Sequence, residues 1–572
     1  MLPCLASGMV LDDFVLAVKA APETLLPSLP SQPLSLFTFT TGDPARNGAL
    51  MDEAALLPWW SEPRHLNAFF RPVTSLTHLL DFRVWPDSPA LMHLHSLLWF
   101  LALLGVLWHT YRSFEPSAPL TAACALLLYA LDDAHGATVG WISNRNALVS
   151  LTLSLPALAL HHAAAVSGAR ARAWLAALCV ALGLCAGEMA LCVVGYLAAY
   201  ALCLDPRRLS TRVLSLLPYV SLFVAHRVLY RVLGLGSFGS SGYHDPLQEP
   251  GAFLASLAYN LPLLLSSQLF APIADLAFLG DVRGRAALWI FSVLSLGAVA
   301  WLLRGLIVRE RSARFWALGM LVAAVPVSAS LPGDRLLLAV GFGAAPLLAR
   351  LFHELGVFAQ VKPALAPLPR ALGQALIVLH LAVAPLMLPI RAYAMAPLNQ
   401  ISRRFDAALP RTAAVRDQIV VVLNAPFNIM VNYLQVERAL RGVPRPAHLY
   451  WLTTASSETE ITRVGADVLQ VTQQAGFLRR PEDTHYRANV HNLPVGARVK
   501  RAGMQVEVVA VTSDARPGTV RFRFDEPLES ARYLFYVYRA GELVPVQPLA
   551  RGESLRLPAE DFFQLMLAEG LR

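Results

Sequence analysis

Apolar residues come in long blocks between positions 91 and 391, and singly, alternating with polar ones, beyond 392. Ten blocks stand out, at 91–111, 119–131, 147–166, 173–186, 189–204, 213–234, 286–308, 315–331, 336–358 and 371–391. A transmembrane helix needs about 20 mostly apolar residues, so the pattern predicts a polytopic helical bundle. The second and fourth blocks are short and are expected to extend into their flanks or to end at a cavity. A further apolar stretch, 251–272, carries Asn260, Pro262, Ser266, Ser267 and Gln268. Residues 1–11 are apolar but too short to span. The reading here is that they are the end of a longer first helix, which would make eleven spans; a short surface-lying N-terminus is the alternative.

Beyond 392 the period shifts to that of strands. Strands are predicted at 418–423, 449–454, 506–511, 520–524 and 532–538, with a turn at Arg516-Pro517-Gly518 and a helix at 432–440. The expected organisation is therefore a membrane domain at 1–391, with 12–90 as its first external loop, and an α+β or mostly β extracytoplasmic domain at 392–572.

Composition fits this division. The 572 residues are 56% hydrophobic and 15% charged, against roughly 45–50% and 25% in soluble domains. A soluble enzyme, a disordered chain and a disulfide scaffold are excluded. The net charge of +8 is small, and no basic run suggests nucleic acid. The six cysteines form no C-x-x-C pair, and at least five lie in apolar runs, where they read as small buried hydrophobes.

Basic residues orient the spans, because short cytoplasmic loops are rich in Lys and Arg. Arg112, Arg170, Arg172, Arg207, Arg208, Arg212, Arg309, Arg311, Arg314, Lys362 and Arg370 all flank predicted spans. If they share the cytoplasmic face, then 12–90, 132–146, 187–188, 235–285, 332–335 and everything after 391 face out. On that orientation 251–272 must stop short of crossing, as a re-entrant or interfacial helix.

Five polar groups then fall on the outer side, where ionisable side chains near a membrane are candidates for function. Asp12-Asp13 follows an apolar stretch directly. Adjacent carboxylates raise one another's pKa, which suits a general base, and can also hold a divalent cation. A solvated helix end is the equal alternative. Asp132-Asp133-Ala134-His135 combines acid and imidazole on the same face. Arg145 in Asn144-Arg145-Asn146, together with Arg71 and Arg335, has the fork geometry to grip phosphate, although interfacial snorkelling produces the same pattern. Glu188 stands alone between two apolar runs, at a tight external turn or in a cavity. Tyr243 and His244 sit in a Gly/Ser-rich loop. Apart from these five, His93 opens its helix at the outer end.

Taken in order, these motifs resemble the polytopic GT-C glycosyltransferases. The Asp12-Asp13 pair opens an external loop that carries Phe69-Phe70-Arg71-Pro72. Met92-His93-Leu94 opens a helix, Trp141-Ile142-Ser143-Asn144-Arg145-Asn146 leads into another, and Gly187-Glu188 follows. The resemblance covers about residues 10–350 and is strongest to protein O-mannosyltransferases and to the transmembrane O-mannosyltransferases that carry tetratricopeptide repeats. No such repeat is visible here, and Ser96 stands where an Asn is often found after the helix-opening His.

The resemblance implies inverting transfer of a sugar from a polyprenyl-phosphate donor to an extracytoplasmic protein, glycolipid or envelope glycan, in a bacterial inner membrane. It implies Asp12 or Asp13 as the base and Arg71, Arg145 or Arg335 on the lipid phosphate. Asp132, Asp133, His135, Glu188, His93 and Tyr243 would hold substrate. A divalent cation, Mg or Mn, stays open, with Asp12, Asp13 and Asp132 as its candidate ligands. A non-catalytic envelope-binding anchor and, less favoured, a transporter or lipid flippase are the competing classes.

Overall fold

A computed structural model describes residues 1–271, 273–278, 282–357 and 366–560. Pro272, Phe358 and Lys362, used in the sequence reading, lie outside the described residues, as does the tail 561–572. The chain divides into two compact units: Met1–Gly8, Phe70–Gly234 and His244–Met395 form the first, and Met9–Phe69, Leu235–Tyr243 and Ala396–Arg572 the second. This partition differs from a single cut at 391/392. Most of the supposed first external loop belongs to the same unit as the C-terminal region.

The first unit is helical. Proline opens many of its helices, at Pro72, Pro89, Pro119, Pro156, Pro250 and Pro367. Proline suits the first turn because its missing N–H would have no partner there. Six helices among the described residues are long and apolar enough to cross a membrane: Pro89–Phe114, Ile142–Ser167, Leu209–Val232, Pro250–Leu269, Arg283–Arg309 and Pro367–Ala408. Exposed apolar side chains such as Leu98, Leu101, Trp174, Val220 and Leu294 stud this unit. In water such a surface would aggregate; in lipid it is what a span requires. The chain is an integral membrane protein.

The helix Pro250–Leu269, within the stretch expected to stop short of crossing, is 20 residues long and apolar enough to cross a membrane by length and composition. Several expected spans are shorter than a bilayer: Pro119–Ala130 has 12 residues, Ala190–Cys203 has 14, and Arg170–Ala186, Arg311–Val327 and Leu338–Glu354 have 17 each. Leu338–Glu354 is buried along almost its whole length. Its apolar character serves the protein core. All six cysteines are free; Cys4, Cys124 and Cys192 are buried, and Cys179, Cys185 and Cys203 half-buried.

Two of the prolines inside helices, Pro346 and Pro262, are answered from outside. Pro346 cannot donate to the Phe342 carbonyl four residues back, and the Tyr111 hydroxyl donates to that oxygen instead (2.9 Å). Pro262 likewise leaves the Ala258 carbonyl without its helical donor, and Trp289 Nε1 supplies one (3.2 Å). Tyr129 and Tyr196 add bonds to the carbonyls of Leu338 (3.0 Å) and Ala339 (2.7 Å). Three buried phenols thus converge on one helix.

The second unit is α+β, and its strands are β1 (Thr38–Thr41), β2 (Leu66–Ala68), β3 (Gly236–Phe238), β4 (Ile419–Val422), β5 (His448–Trp451), β6 (Thr459–Arg463), β7 (Val468–Gln473), β8 (Arg498–Arg501), β9 (Met504–Val511), β10 (Pro517–Phe524), β11 (Tyr533–Arg539), β12 (Glu542–Val546) and β13 (Ser554–Leu557). They form a three-stranded sheet β1-β2-β3, a six-stranded sheet β13-β6-β7-β10-β9-β8 and a four-stranded sheet β12-β11-β4-β5. In the last, β11, β4 and β5 run parallel. β4 is buried at every position, as a parallel strand covered on both faces should be. β6 instead alternates buried and half-buried residues. The predicted strands correspond to β4, β5, β9, β10 and β11. The turn is shifted: Pro517 opens β10, and residues 512–516 turn, with Thr512 N donating to Arg516 O (2.8 Å).

Tyr111→Phe should destabilise the protein by about 1–3 kcal/mol, the cost of a buried acceptor left without a donor. In a Pro346→Ala background, where the helix regains its own N–H, the same substitution should cost markedly less. Thermal unfolding of the four proteins in detergent measures both effects.

Candidate functional site

The second unit holds the acidic pair. Leu11, just before it, has φ 51° and ψ −121°, backbone that normally calls for glycine. Strain of this kind costs on the order of 1–3 kcal/mol and persists only where the surroundings impose it. Asp13 helps impose it. It is fully buried, and its Oδ2 accepts from the Val10 N–H (2.9 Å) while its own N–H donates to Val10 O (3.0 Å). Asn399 Nδ2 fixes the Met9 carbonyl from the helix Ala396–Ala408 (2.5 Å). The kink brings Asp12, half-buried, under Tyr433, whose hydroxyl donates to Asp12 Oδ1 (2.7 Å). Asp12 and Asp13 also stand at the start of the helix Asp12–Ala20, where negative charge is favoured.

Tyr243 lies elsewhere in this unit, edge-on to His485 (6.0 Å) and Phe69 (5.7 Å). Nearby, Glu482 and Asp483 form a second carboxylate pair, unforeseen in the sequence. Asp483 is buried and accepts from Asn428 Nδ2 (2.8 Å). Burial raises both carboxyls, and the charge of Asp483 raises Glu482 further.

The first unit holds the arginines. Glu188, between the helices Arg170–Ala186 and Ala190–Cys203, accepts from Arg71 through Nε (2.9 Å) and Nη2 (2.7 Å) and from the Tyr230 hydroxyl. Burial alone would raise the Glu188 carboxyl; Arg71 and Tyr230 outweigh it and hold the group below its ordinary value. The carboxylate keeps 30% of its side-chain surface and Arg71 keeps 15%. Phe70 N–H donates to the Tyr230 oxygen (3.0 Å), locking the phenol in place.

Arg145 has no exposed surface. Its guanidinium pairs with Asp81 (2.5 Å), also fully buried, and donates to Ser96 Oγ (3.0 Å) and the Met92 carbonyl (2.6 Å). Trp99 donates to His95 Nε2 (3.1 Å), so His95 carries its proton on Nδ1 and donates it to Asp81 (2.6 Å). In this arrangement Arg145 is taken up by the helix bundle, and Ser96 has become one of its acceptors. His93 donates from Nε2 to the Gly8 carbonyl (3.0 Å), which fixes the start of the unit.

Asp132 and Asp133 separate in role. Asp132 accepts from Ala134 N–H (3.0 Å) and Gln268 Nε2 (2.7 Å). Asp133 joins Asp275 (2.9 Å) and Asp334 (2.5 Å) around Arg391, at a longer 3.4 Å. Burial pushes Asp334 up to about 6 despite Arg391, and burial with the neighbouring charge of Asp132 raises Asp133. His135 donates from Nδ1 to the Tyr129 carbonyl (2.9 Å), and burial lowers its pKa. The Arg335 guanidinium stacks over Trp141 (5.8 Å).

The structure thus gives Arg71, Arg145 and Arg335 different partners. Asp12 and Asp13 belong to one unit and Asp132 to the other. Among the described residues no three His, Cys, Asp or Glu side chains group as a metal site. One or two carboxylates still suffice for Mg²⁺ when substrate phosphates complete its shell. Tyr433, Tyr230, Asp81 and Arg391 carry no local motif; each is a lone polar residue whose partner is remote in sequence.

No family model matches the chain, and no curated protein matches it by sequence. Among solved structures, it is similar to the archaeal oligosaccharyltransferase AglB from Archaeoglobus fulgidus, in complex with an inhibitory peptide and a dolichol-phosphate, at TM-score 0.36 and 12% identity over 78% of this chain and 61% of that one. It is also similar to the arabinofuranosyltransferase AftD from Mycobacteria. A mutant form gives TM-score 0.33 and 16% identity, over 89% of this chain and 41% of that one. A second AftD structure gives 0.31 and 15%, over 90% and 40%. The chain spans less than two thirds of the length of each.

Asp81→Ala should cost about 3–5 kcal/mol by leaving Arg145 buried without its counterion. The paired replacement Asp81→Leu with Arg145→Met should recover much of that loss in thermal unfolding. The raised carboxyls of Glu482 and Asp483 set a pH dependence. A folded state that holds extra protons is most stable below the ordinary carboxylate range and loses stability as pH rises through the raised values. The melting temperature should therefore fall from pH 5 to pH 8, and Glu482→Gln should reduce that fall.

Proposed function

We propose that this protein is a membrane glycosyltransferase that moves a sugar from a polyprenyl-phosphate donor to an acceptor hydroxyl outside the cytoplasm. The observation that carries the reading is the acidic pair. A strained turn at Leu11 holds Asp12 half-buried, with one carboxylate oxygen fixed by a phenol. Asp13 is buried and spends Oδ2 on the turn itself. The arrangement favours Asp12 as the base and Asp13 as the residue that shapes its position. The quoted motifs, which resemble those of GT-C enzymes, supply the reaction class.

A hydroxyl is a weak nucleophile until a base takes its proton. As the acceptor oxygen bonds to the anomeric carbon, its proton passes to Asp12. The bond from that carbon to the phosphate oxygen breaks, and its electron pair leaves on the polyprenyl phosphate, with inversion. Developing charge on that phosphate calls for a cation. The motif resemblance implies Arg71, Arg145 or Arg335 for that role; Arg71 and Arg335 keep exposed surface and Arg145 keeps none. Glu188, half-buried and held by Arg71 and Tyr230, has the carboxylate chemistry that suits a sugar or acceptor hydroxyl. Asp132, Asp133, His135, His93 and Tyr243 would act mainly by holding the surrounding framework.

In a deletion strain, the wild-type gene should restore the missing glycan. Asp12→Asn should reduce transfer by at least about 100-fold, within the range for loss of a general base. Glycan profiling of the deletion and complemented strains measures this. Unaltered surface glycans with both Asp12→Asn and Asp13→Asn would point to a non-catalytic anchor.

A further inference from the structure

The outer face of the six-stranded sheet has no role in the reading above. Val506, Val508, Val520 and Phe522 of β9 and β10 are buried, so the residues that alternate with them lie on the opposite face. The pairing register sets those residues in rows. Arg498 of β8 and Arg521 of β10 stand on either side of Glu507 of β9. Two residues along, Lys500 and Arg523 stand on either side of Gln505. Strands lie about 4.8 Å apart and rise about 3.4 Å per residue. Four basic residues therefore mark the corners of a rectangle of about 10 Å by 7 Å, with one carboxylate and one amide along its midline. Arg498, Lys500 and Arg523 are exposed, and Arg521 is half-buried.

This arrangement is unfavourable by itself, because like charges at such spacing repel. Glu507 offsets part of the repulsion. It accepts from Arg498 through Nε (3.1 Å) and Nη2 (2.9 Å). That bond, with the charges of Arg521 and Arg523 behind it, holds the Glu507 carboxyl below its ordinary value. Protection of a sheet edge accounts for β8, since charged side chains on an edge strand block pairing with another sheet. It does not account for Arg521 and Arg523, because β10 lies inside the sheet, between β7 and β9. A partner that brings negative charge accounts for both strands.

We propose that this face binds a glycan polymer that carries carboxylate groups. The guanidinium fork matches a carboxylate. Beyond Arg521 the first row continues through Gln470 of β7, Thr462 of β6 and Ser554 of β13. Amides and hydroxyls both donate and accept, as sugar hydroxyls require. The row crosses six strands, about 24 Å at the strand spacing, which suits a stretch of polymer better than a single small anion. Nucleic acid and membrane fit the face less well. Single-stranded nucleic acid stacks on aromatic side chains, and membrane-surface elements insert large apolar ones. The row from Arg498 to Ser554 contains neither. The proposal concerns binding and not transfer, so it stands or falls independently of Asp12 as the base.

The test uses the full-length protein in nanodiscs of uncharged lipid and measures binding of a fluorescent polygalacturonate oligomer. Binding should weaken steadily as salt is raised to about 0.5 M, and the methyl-esterified oligomer, with the same backbone and no charge, should not bind. Lys500→Gln with Arg523→Gln should weaken binding by about 10-fold, the loss of two exposed charge pairs. Arg498→Gln with Arg521→Gln should do the same and provides a second variant should either protein fail to fold. Arg539→Gln, which removes a cation at the end of β11 in the other sheet, should leave binding unchanged. No binding by the wild type, equal binding of the esterified oligomer, or an equal loss with Arg539→Gln would each overturn the proposal. So would tighter binding of a single-stranded oligonucleotide or of anionic vesicles that depends on the same four residues, since the face would then belong to another class of partner.

Discussion

A charge or hydrogen-bonding group removed from water must find its partner inside the protein, and this requirement organises the helical unit. The Arg145 guanidinium has no exposed surface, so the bundle must place a carboxylate, a hydroxyl and a backbone carbonyl around it. Asp81 satisfies Arg145 and His95 together. His95 in turn is fixed by Trp99. Arg145, Asp81 and the His95–Trp99 pair, from three stretches of sequence, are thereby held in one geometry. The gain is specificity of arrangement more than net stability, since a buried ion pair repays little beyond its desolvation.

Backbone groups obey the same requirement. A proline inside a helix frees a carbonyl, and in an apolar bundle water cannot fill the gap. Tyr111 and Trp289 supply the missing donors at Phe342 and Ala258. These aromatic residues do two things at once: the ring fills apolar space, and the polar tip cancels a defect. A helix that would otherwise be weakened by Pro346 becomes the one on which Tyr111, Tyr129 and Tyr196 all converge.

What could be read from the sequence follows from where each signal resides. The membrane character was legible because a span writes itself as about 20 consecutive apolar residues. Bundle helices such as Leu338–Glu354 look the same in composition, so apolar blocks overstated the number of bilayer-length helices. β4, β5 and β11 were visible as dense apolar runs. β8, with the sequence Arg498-Val499-Lys500-Arg501, and β6, which alternates with charged residues, were not. Glu188 was conspicuous because nothing nearby could neutralise it, and it proved to be held by Arg71 and Tyr230. The partners themselves were illegible. Asp81, Tyr230, Tyr433 and Arg391 are ordinary residues until the fold brings them against something they must satisfy.

The acidic pair shows how local and remote constraints combine. Asp13 and the asparagine on Met9 hold a leucine in a conformation that glycine would take more cheaply. A glycine at 11 would relieve strain but leave the chain free to swing Asp12 through many orientations. The leucine, once forced into place, leaves fewer. Tyr433 then selects among what is left. Precision at Asp12 is thus built in two stages, by a costly turn over Val10–Asp13 and by the phenol of Tyr433, remote in sequence.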